Sequence, residues 1–320
     1  MAAPERRGGH GMRRNGSVLR QGESSGGVMQ DCTIQISVFG AFDIKVDGVS
    51  QHLGVSAATC SLLQYLICYN DRPARREQLT EMFWPQTCVE RRRSSLNSAI
   101  WRIKKALKTT PLLGLDATAD WIRLTGVRAP QVLIDFVGLE NAVDGLRGTA
   151  EPAAAGLDSL IRALDTCSGT PLDGLDDEWA SIERERLSAL HMRGMTIAMH
   201  ALAGLHRYDE ALDMGRRILV HDPYRECAFQ EMLCLHVLNG ERAKALQLFD
   251  RFTAALEGDL GIEPMAETRA LRDYLASDQS INPSADQHLE LSTIESIWQP
   301  DVGALLATIE HARDAVRTRC

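Results

Sequence analysis

Residues 90–108 limit what this 320-residue chain can fold into more than any other stretch. They hold seven cations (Arg91, Arg92, Arg93, Arg102, Lys104, Lys105, Lys108) against one acid, Glu90. At 100° per residue, Leu96, Ile100, Ile103 and Leu107 fall within roughly 60° of one another, so that stripe must face a core. Arg91, Ser94, Ser95, Ser98, Arg102 and Lys105 land on the opposite side, and Arg92, Arg93 and Lys104 flank the stripe. A solvated helix face usually mixes both signs of charge, and this one barely does. Thr87-Cys88-Val89-Glu90 fits a capping box, with the Thr87 hydroxyl accepting from the Glu90 N–H and the Glu90 side chain reaching back. The predicted helix runs from about 88 to 108.

The flanking sequence gives this helix a setting. Ile34, Ile36 and Val38 alternate with polar residues, Phe42, Ile44 and Val46 continue after Gly40, and Asp47-Gly48 is a turn signal. Short antiparallel strands are expected there. From Ser56 the period becomes helical, with Cys60, Leu63, Leu66 and Ile67 on one face. A shorter helix presents Leu79, Met82 and Phe83 and stops at Trp84-Pro85, because proline disfavours helix at the residue before it. After Pro111, Leu112–Leu115 and Trp121–Leu124 bracket a polar turn, Asp116–Asp120, as in a hairpin. Strands, two helices, a long basic helix and a hairpin make the order of a winged helix-turn-helix. A B-DNA major groove admits one α-helix, whose outward side chains meet base edges. Cations beside them meet phosphates and release counterions. The alternative is a basic surface helix with no ligand.

The overall charge of −8 argues against nucleic acid until the chain is divided. Residues 1–130 carry 18 Lys/Arg and 11 Asp/Glu, a balance of +7, whereas residues 131–320 carry 17 and 32, a balance of −15. A basic half and an acidic half imply two tasks on one chain. No apolar run approaches the roughly 18 residues of a membrane span. The first 31 residues, with seven Gly and five Arg, read as a basic disordered arm rather than a secretory signal, with Met1, Met12 or Met29 as the start. Eight scattered cysteines without a CxxC pair suit reduced thiols in a cytoplasmic protein.

The acidic half reads as helical. Asp135 is placed to cap a helix carrying Phe136, Leu139, Val143 and Leu146, residues 151–165 form another, and a long one begins near Asp177 with Trp179, Ile182, Leu187 and Leu190. A repeat follows: Arg207-Tyr208-Asp209-Glu210-Ala211-Leu212 returns as Glu241-Arg242-Ala243-Lys244-Ala245-Leu246. The interval of 34 residues is the tetratricopeptide period. Gly204 and Gly240 are expected as turns before each copy, with Asp222-Pro223 and Glu263-Pro264 ending them. Such repeats stack into a superhelix that binds other proteins, and a plain helical bundle is the alternative. The fold class is therefore mainly α with a small β component: a basic arm over 1–31, a winged helix over 32–130, a tetratricopeptide-like domain over 131–278, and a linker with an amphipathic segment at 301–318.

Several of these motifs together resemble one family. Phe39-Gly40, Leu62-Leu63-Gln64-Tyr65-Leu66, Arg75-Arg76-Glu77-Gln78-Leu79, Phe83-Trp84-Pro85 and the run Arg93 to Leu107 look like the DNA-binding domain of the Streptomyces antibiotic regulatory protein (SARP) family, an OmpR-type winged helix. Asp135-Phe136, Leu172-Asp173-Gly174-Leu175, Glu178-Trp179, Glu183 to Leu187, Asp222 to Glu226 and Gly261-Ile262-Glu263-Pro264 resemble the bacterial transcriptional activation domain. The resemblance covers roughly 33–276. It implies a transcriptional activator that binds direct repeats in promoters as side-by-side protomers and contacts RNA polymerase holoenzyme. Carried over by position, it makes 88–108 the recognition helix, with Arg92, Arg93, Ser94, Asn97, Ser98, Trp101, Arg102 and Lys105 facing DNA. Helical geometry instead puts Arg93 and Asn97 on the flank. Arg91, Ser94, Ser98 and Arg102 therefore rank first for bases, and Arg92, Arg93, Lys104, Lys105 and Arg123 for phosphates.

Other chemistries find less support. There is no GxxxxGK[ST], so no nucleotide switch is expected, and no phosphoacceptor receiver domain fits ahead of residue 33. Asp176-Asp177-Glu178 with His200, His206 and His221 are the best catalytic candidates, but acids in a first helical turn already favour the helix dipole. Cys227, Cys234 and His236 lack a further ligand at metal-binding spacing. No enzyme activity, metal or cofactor is expected. The remaining rival is a repeat-type adaptor that does not bind DNA, which leaves the cationic helix unexplained.

Overall fold

The computed structural model describes residues 32–146 and 154–276; the expected basic arm and the segment 279–320 lie outside them. β1 (Ile34–Ser37) and β2 (Asp43–Val46) pair antiparallel, and Asp47 and Gly48, both at positive φ, turn the chain back after β2. β3 (Val49–Ser50) adds an edge. Ile34, Ile36 and Ile44 point into the core, while Phe42 and Val46 are only half-buried. α1 (Ala57–Cys68), β4 (Ala74–Arg75), α2 (Arg76–Phe83) and α3 (Val89–Ala106) follow, the last prolonged by a single tight turn, Leu107–Thr109. β5 (Gly114–Ala117) and β6 (Trp121–Thr125) form the wing hairpin, about two residues later at its first strand than the hydrophobic pattern predicts, and β4 pairs with β6. Gly126 closes the hairpin at φ 83, where a β-carbon would lie 1.7 Å from the Leu112 carbonyl oxygen.

β7 (Val132–Ile134) then runs back to the first sheet and pairs parallel with β1, Ile34 facing Val132, giving the order β3-β2-β1-β7. Seven helices complete the described chain: α4 (Asp135–Gly145), α5 (Ala154–Thr166), α6 (Glu178–Gly204), α7 (Tyr208–His221), α8 (Glu226–Leu238), α9 (Arg242–Leu260) and α10 (Ala266–Ala276). The 34-residue period is structural. The Arg207 N–H donates to the Leu202 carbonyl at 2.9 Å, and 34 positions later the Glu241 N–H donates to the His236 carbonyl at 2.7 Å. Ala211 and Ala245, both fully buried, let α7 and α9 approach their partners closely. The turn residue before the first copy is not Gly204, which ends α6, but His206 at φ 58, the counterpart of Gly240 at φ 74. Two expected core residues also face outward. Met82 and Ile182 are 39% and 63% exposed, and Glu183 occupies the buried position beside Ile182. A helical wheel finds an apolar face but not which part of it a neighbouring element covers.

The strand-bearing and helical halves are locked together by polar staples. The Asp135 carboxylate does more than cap α4: one oxygen accepts from the Phe136 N–H, the other from the Val38 and Phe39 N–H groups at 2.6 and 2.8 Å. Burial pushes the Asp135 pKa up, and these three donors work against that rise. The loop before α6 lies along β1, with the Leu172 N–H donating to the Val38 carbonyl at 2.8 Å and the Gly40 N–H to that of Thr170 at 2.9 Å. The Arg184 guanidinium holds that loop by donating to the carbonyls of Pro171, Leu172 and Leu175. Ser61 on α1 donates to Asp177 at 2.6 Å, and Trp179 packs edge-on against Tyr65 with ring centres 5.3 Å apart. Such ring pairs contribute about 0.5–1.5 kcal/mol beyond burial.

Candidate nucleic-acid interface

α3 is held by its own apolar stripe. Leu96, Ala99, Ile100, Ile103 and Leu107 are buried beneath it, against α1, α2 and the hairpin. Its start differs from the capping box. Cys88 occupies the cap, no side chain satisfies the first N–H groups, and Glu90 is exposed. The helix begins one residue later than the box requires, which leaves Thr87 outside the cap position, and Arg92 folds back over the turn, donating through Nε to the Thr87 carbonyl at 2.6 Å and through Nη2 to that of Pro85 at 2.5 Å. Arg92 thus braces the turn between α2 and α3.

The outward side is polar and open. Arg91, Ser94, Ser98 and Arg102 are exposed and line a shallow groove completed by Ser56, Thr59, Trp84 and Thr87. Ser56 and Thr59, at the start of α1, hydrogen-bond each other at 2.9 Å. On the other flank Asn97 accepts a hydrogen bond from Arg76, which also donates to the Thr118 carbonyl in the hairpin turn at 3.2 Å. Arg93, Lys104 and Lys105 are exposed, and the Lys105 ammonium lies 5.5 Å from the centre of the Trp101 ring. Arg123 stands exposed on β6, across from Asp116. Arg128 lines a separate groove with Cys68, Glu140 and Ile182. Among the described residues, Arg91, Arg93, Arg102, Lys104, Lys105 and Arg123 make no ion pair.

The residues singled out for other chemistry have the following surroundings. Asp177 precedes α6 and accepts from Ser61. His200 bonds Glu231 at 2.8 Å, His206 bonds Tyr208 at 2.7 Å and His236 bonds Glu241 at 2.9 Å. Cys227 is exposed and Cys234 buried, so the two do not converge. Among the described residues no three His, Cys, Asp or Glu side chains gather as a metal site, and no helix is long and apolar enough to cross a membrane.

A winged helix joined to a helical repeat domain is the architecture these elements make. Residues 134–275 match the family model described as bacterial transcriptional activator domain. Transcriptional regulatory protein MoaR1 of Mycobacterium bovis (strain BCG / Pasteur 1173P2) is 22% identical over 250 residues, covering 74% of this chain and 78% of the relative. Its namesake from Mycobacterium tuberculosis (strain ATCC 25618 / H37Rv) is 23% identical over 247 residues, with the same coverage. Among solved structures, Mycobacterium tuberculosis EmbR in complex with a low affinity phosphopeptide aligns with a TM-score of 0.61 at 19% identity, over 84% of this chain and 72% of that one, which shows the shared fold. The family match thus lies in the helical half of the chain, and the likeness to MoaR1 and EmbR spans both halves.

Proposed function

We propose that this activator acts by placing α3 in the major groove of promoter direct repeats, with the β5–β6 hairpin on the adjacent backbone. The observation that carries the reading is the outward side of α3, whose cations make no ion pair among the described residues. Ser94, Ser98, Arg91 and Arg102 meet base edges, and Arg93, Lys104, Lys105 and Arg123 meet phosphates. Arg92, engaged with the Pro85 and Thr87 carbonyls, sets the angle of α3 instead of touching DNA. The acidic helical half, from residue 131 onward, contacts a second protomer or RNA polymerase holoenzyme, and the protein works in the cytoplasm at the nucleoid as a binder without catalytic chemistry. A pure adaptor has no use for a row of unpaired cations.

Footprinting upstream of neighbouring genes across a salt series tests this. Four phosphate contacts per protomer predict that affinity falls with log salt at a slope of about −3 to −4. Protected direct repeats with that slope support the reading. Salt-insensitive binding, or no protected sequence at low salt, contradicts it.

A further inference from the structure

Trp101 is 63% exposed in the middle of α3, an unusual place for the largest apolar side chain. At 100° per residue Ser94, Ser98, Trp101 and Lys105 share an arc of about 60°, directly opposite the buried stripe. Trp101 thus points outward on the same side of the helix as the two serines. No aromatic ring of the described chain packs on it, and the Lys105 ammonium over the ring, 5.5 Å from its centre, steadies it. Whatever lies along this outer side of the helix meets an indole about one turn beyond Ser98.

The major groove offers one apolar group, the 5-methyl of thymine, among hydrogen-bond donors and acceptors. The side chains around Trp101 suit the polar edges, and the indole suits the methyl. We infer that Trp101 reads a thymine methyl by apolar contact, a specificity role resting on the assignment of α3 to the major groove.

The test uses the full chain and a duplex enriched from a random-sequence pool, each thymine being replaced singly by deoxyuridine. Loss of one buried methyl predicts about a fourfold weaker complex at one or two positions. Trp101→Ala should bind thymine and uracil forms of that position equally, with an unchanged melting temperature because the side chain is exposed. Trp101→Phe should keep part of the discrimination. 5-Bromouracil, whose bromine fills the volume of the methyl, should restore wild-type affinity and photocross-link to Trp101. The inference is overturned if no thymine-to-uracil change weakens the wild type. It is equally overturned if Trp101→Ala weakens every duplex alike while thymine-to-uracil sensitivity persists, the signature of sugar–phosphate or protomer contact. Failure to enrich any duplex overturns the assignment of α3 as well, which tight but methyl-blind binding does not.

Discussion

Ion pairing separates many positive charges of the helical half from those on the outer side of α3. In the helical half Arg186 binds Glu140 and Glu183, Arg207 binds Glu210, Arg216 binds Asp213, Arg217 binds Asp165, Lys244 binds Glu241 and Arg269 binds Glu263. On α3 and β6, Arg91, Arg93, Arg102, Lys104, Lys105 and Arg123 make no ion pair among the described residues. The same residue types thus serve as internal staples in one region and as unpaired charge in the other. Unpaired like charges on one helix repel one another, and an external polyanion removes that repulsion.

The largest expected effect concerns the joint between the two regions. Asp135→Ala should lower stability by about 3 kcal/mol or more in denaturant unfolding, because it strands the buried Val38 and Phe39 N–H groups. Loss under about 1 kcal/mol would mean that the halves are not joined through this carboxylate. His191 gives a pH-dependent counterpart. Burial, with His221 and Arg217 nearby, holds its pKa down to about 4. The unfolded chain binds the proton near pH 6.5 and the folded chain only near pH 4, so stability is full above 6.5 and declines between those values. The decline attributable to this ring is on the order of 3 kcal/mol, and His191→Gln should flatten the stability–pH curve by that difference.

Next come the free cations. Arg102→Ala should cost roughly 1–3 kcal/mol on the preferred duplex and relax sequence preference. Lys105→Ala should weaken all duplexes alike and shallow the salt slope by about one. Equal loss on preferred and random DNA for both variants would erase the division between base and phosphate contacts. The smallest effect belongs to a paired cation. Arg216→Ala, which breaks an exposed bond to Asp213, should change stability by no more than about 0.5 kcal/mol and leave DNA affinity alone. A DNA defect there as large as that of Lys105→Ala would dissolve the distinction between the regions.

Much of this was legible in the residues. The buried stripe of α3, the Asp47-Gly48 turn and the 34-residue period are local or regular signals, and each reappears in the coordinates. Three features were not legible, for a shared physical reason. The Asp135 bonds to Val38 and Phe39, the docking of the Thr170–Leu172 loop on β1, and the pairing of β7 with β1 all join residues about a hundred or more positions apart, and nothing periodic announces them. Arg92 is a different case: its spacing suits a phosphate contact, and its guanidinium donates to two carbonyls of the preceding turn, which no spacing announces. His206 was overlooked as a turn residue because glycine is the usual occupant of positive φ.

Amide hydrogen exchange of the full chain, with and without promoter duplex, reports which elements meet DNA. Binding through α3 predicts slowed exchange in Val89–Ala106 and in the Gly114–Thr125 hairpin at one protomer per half-site. Slowing confined to Glu178–Ala276, with α3 unchanged at saturating duplex, would contradict it.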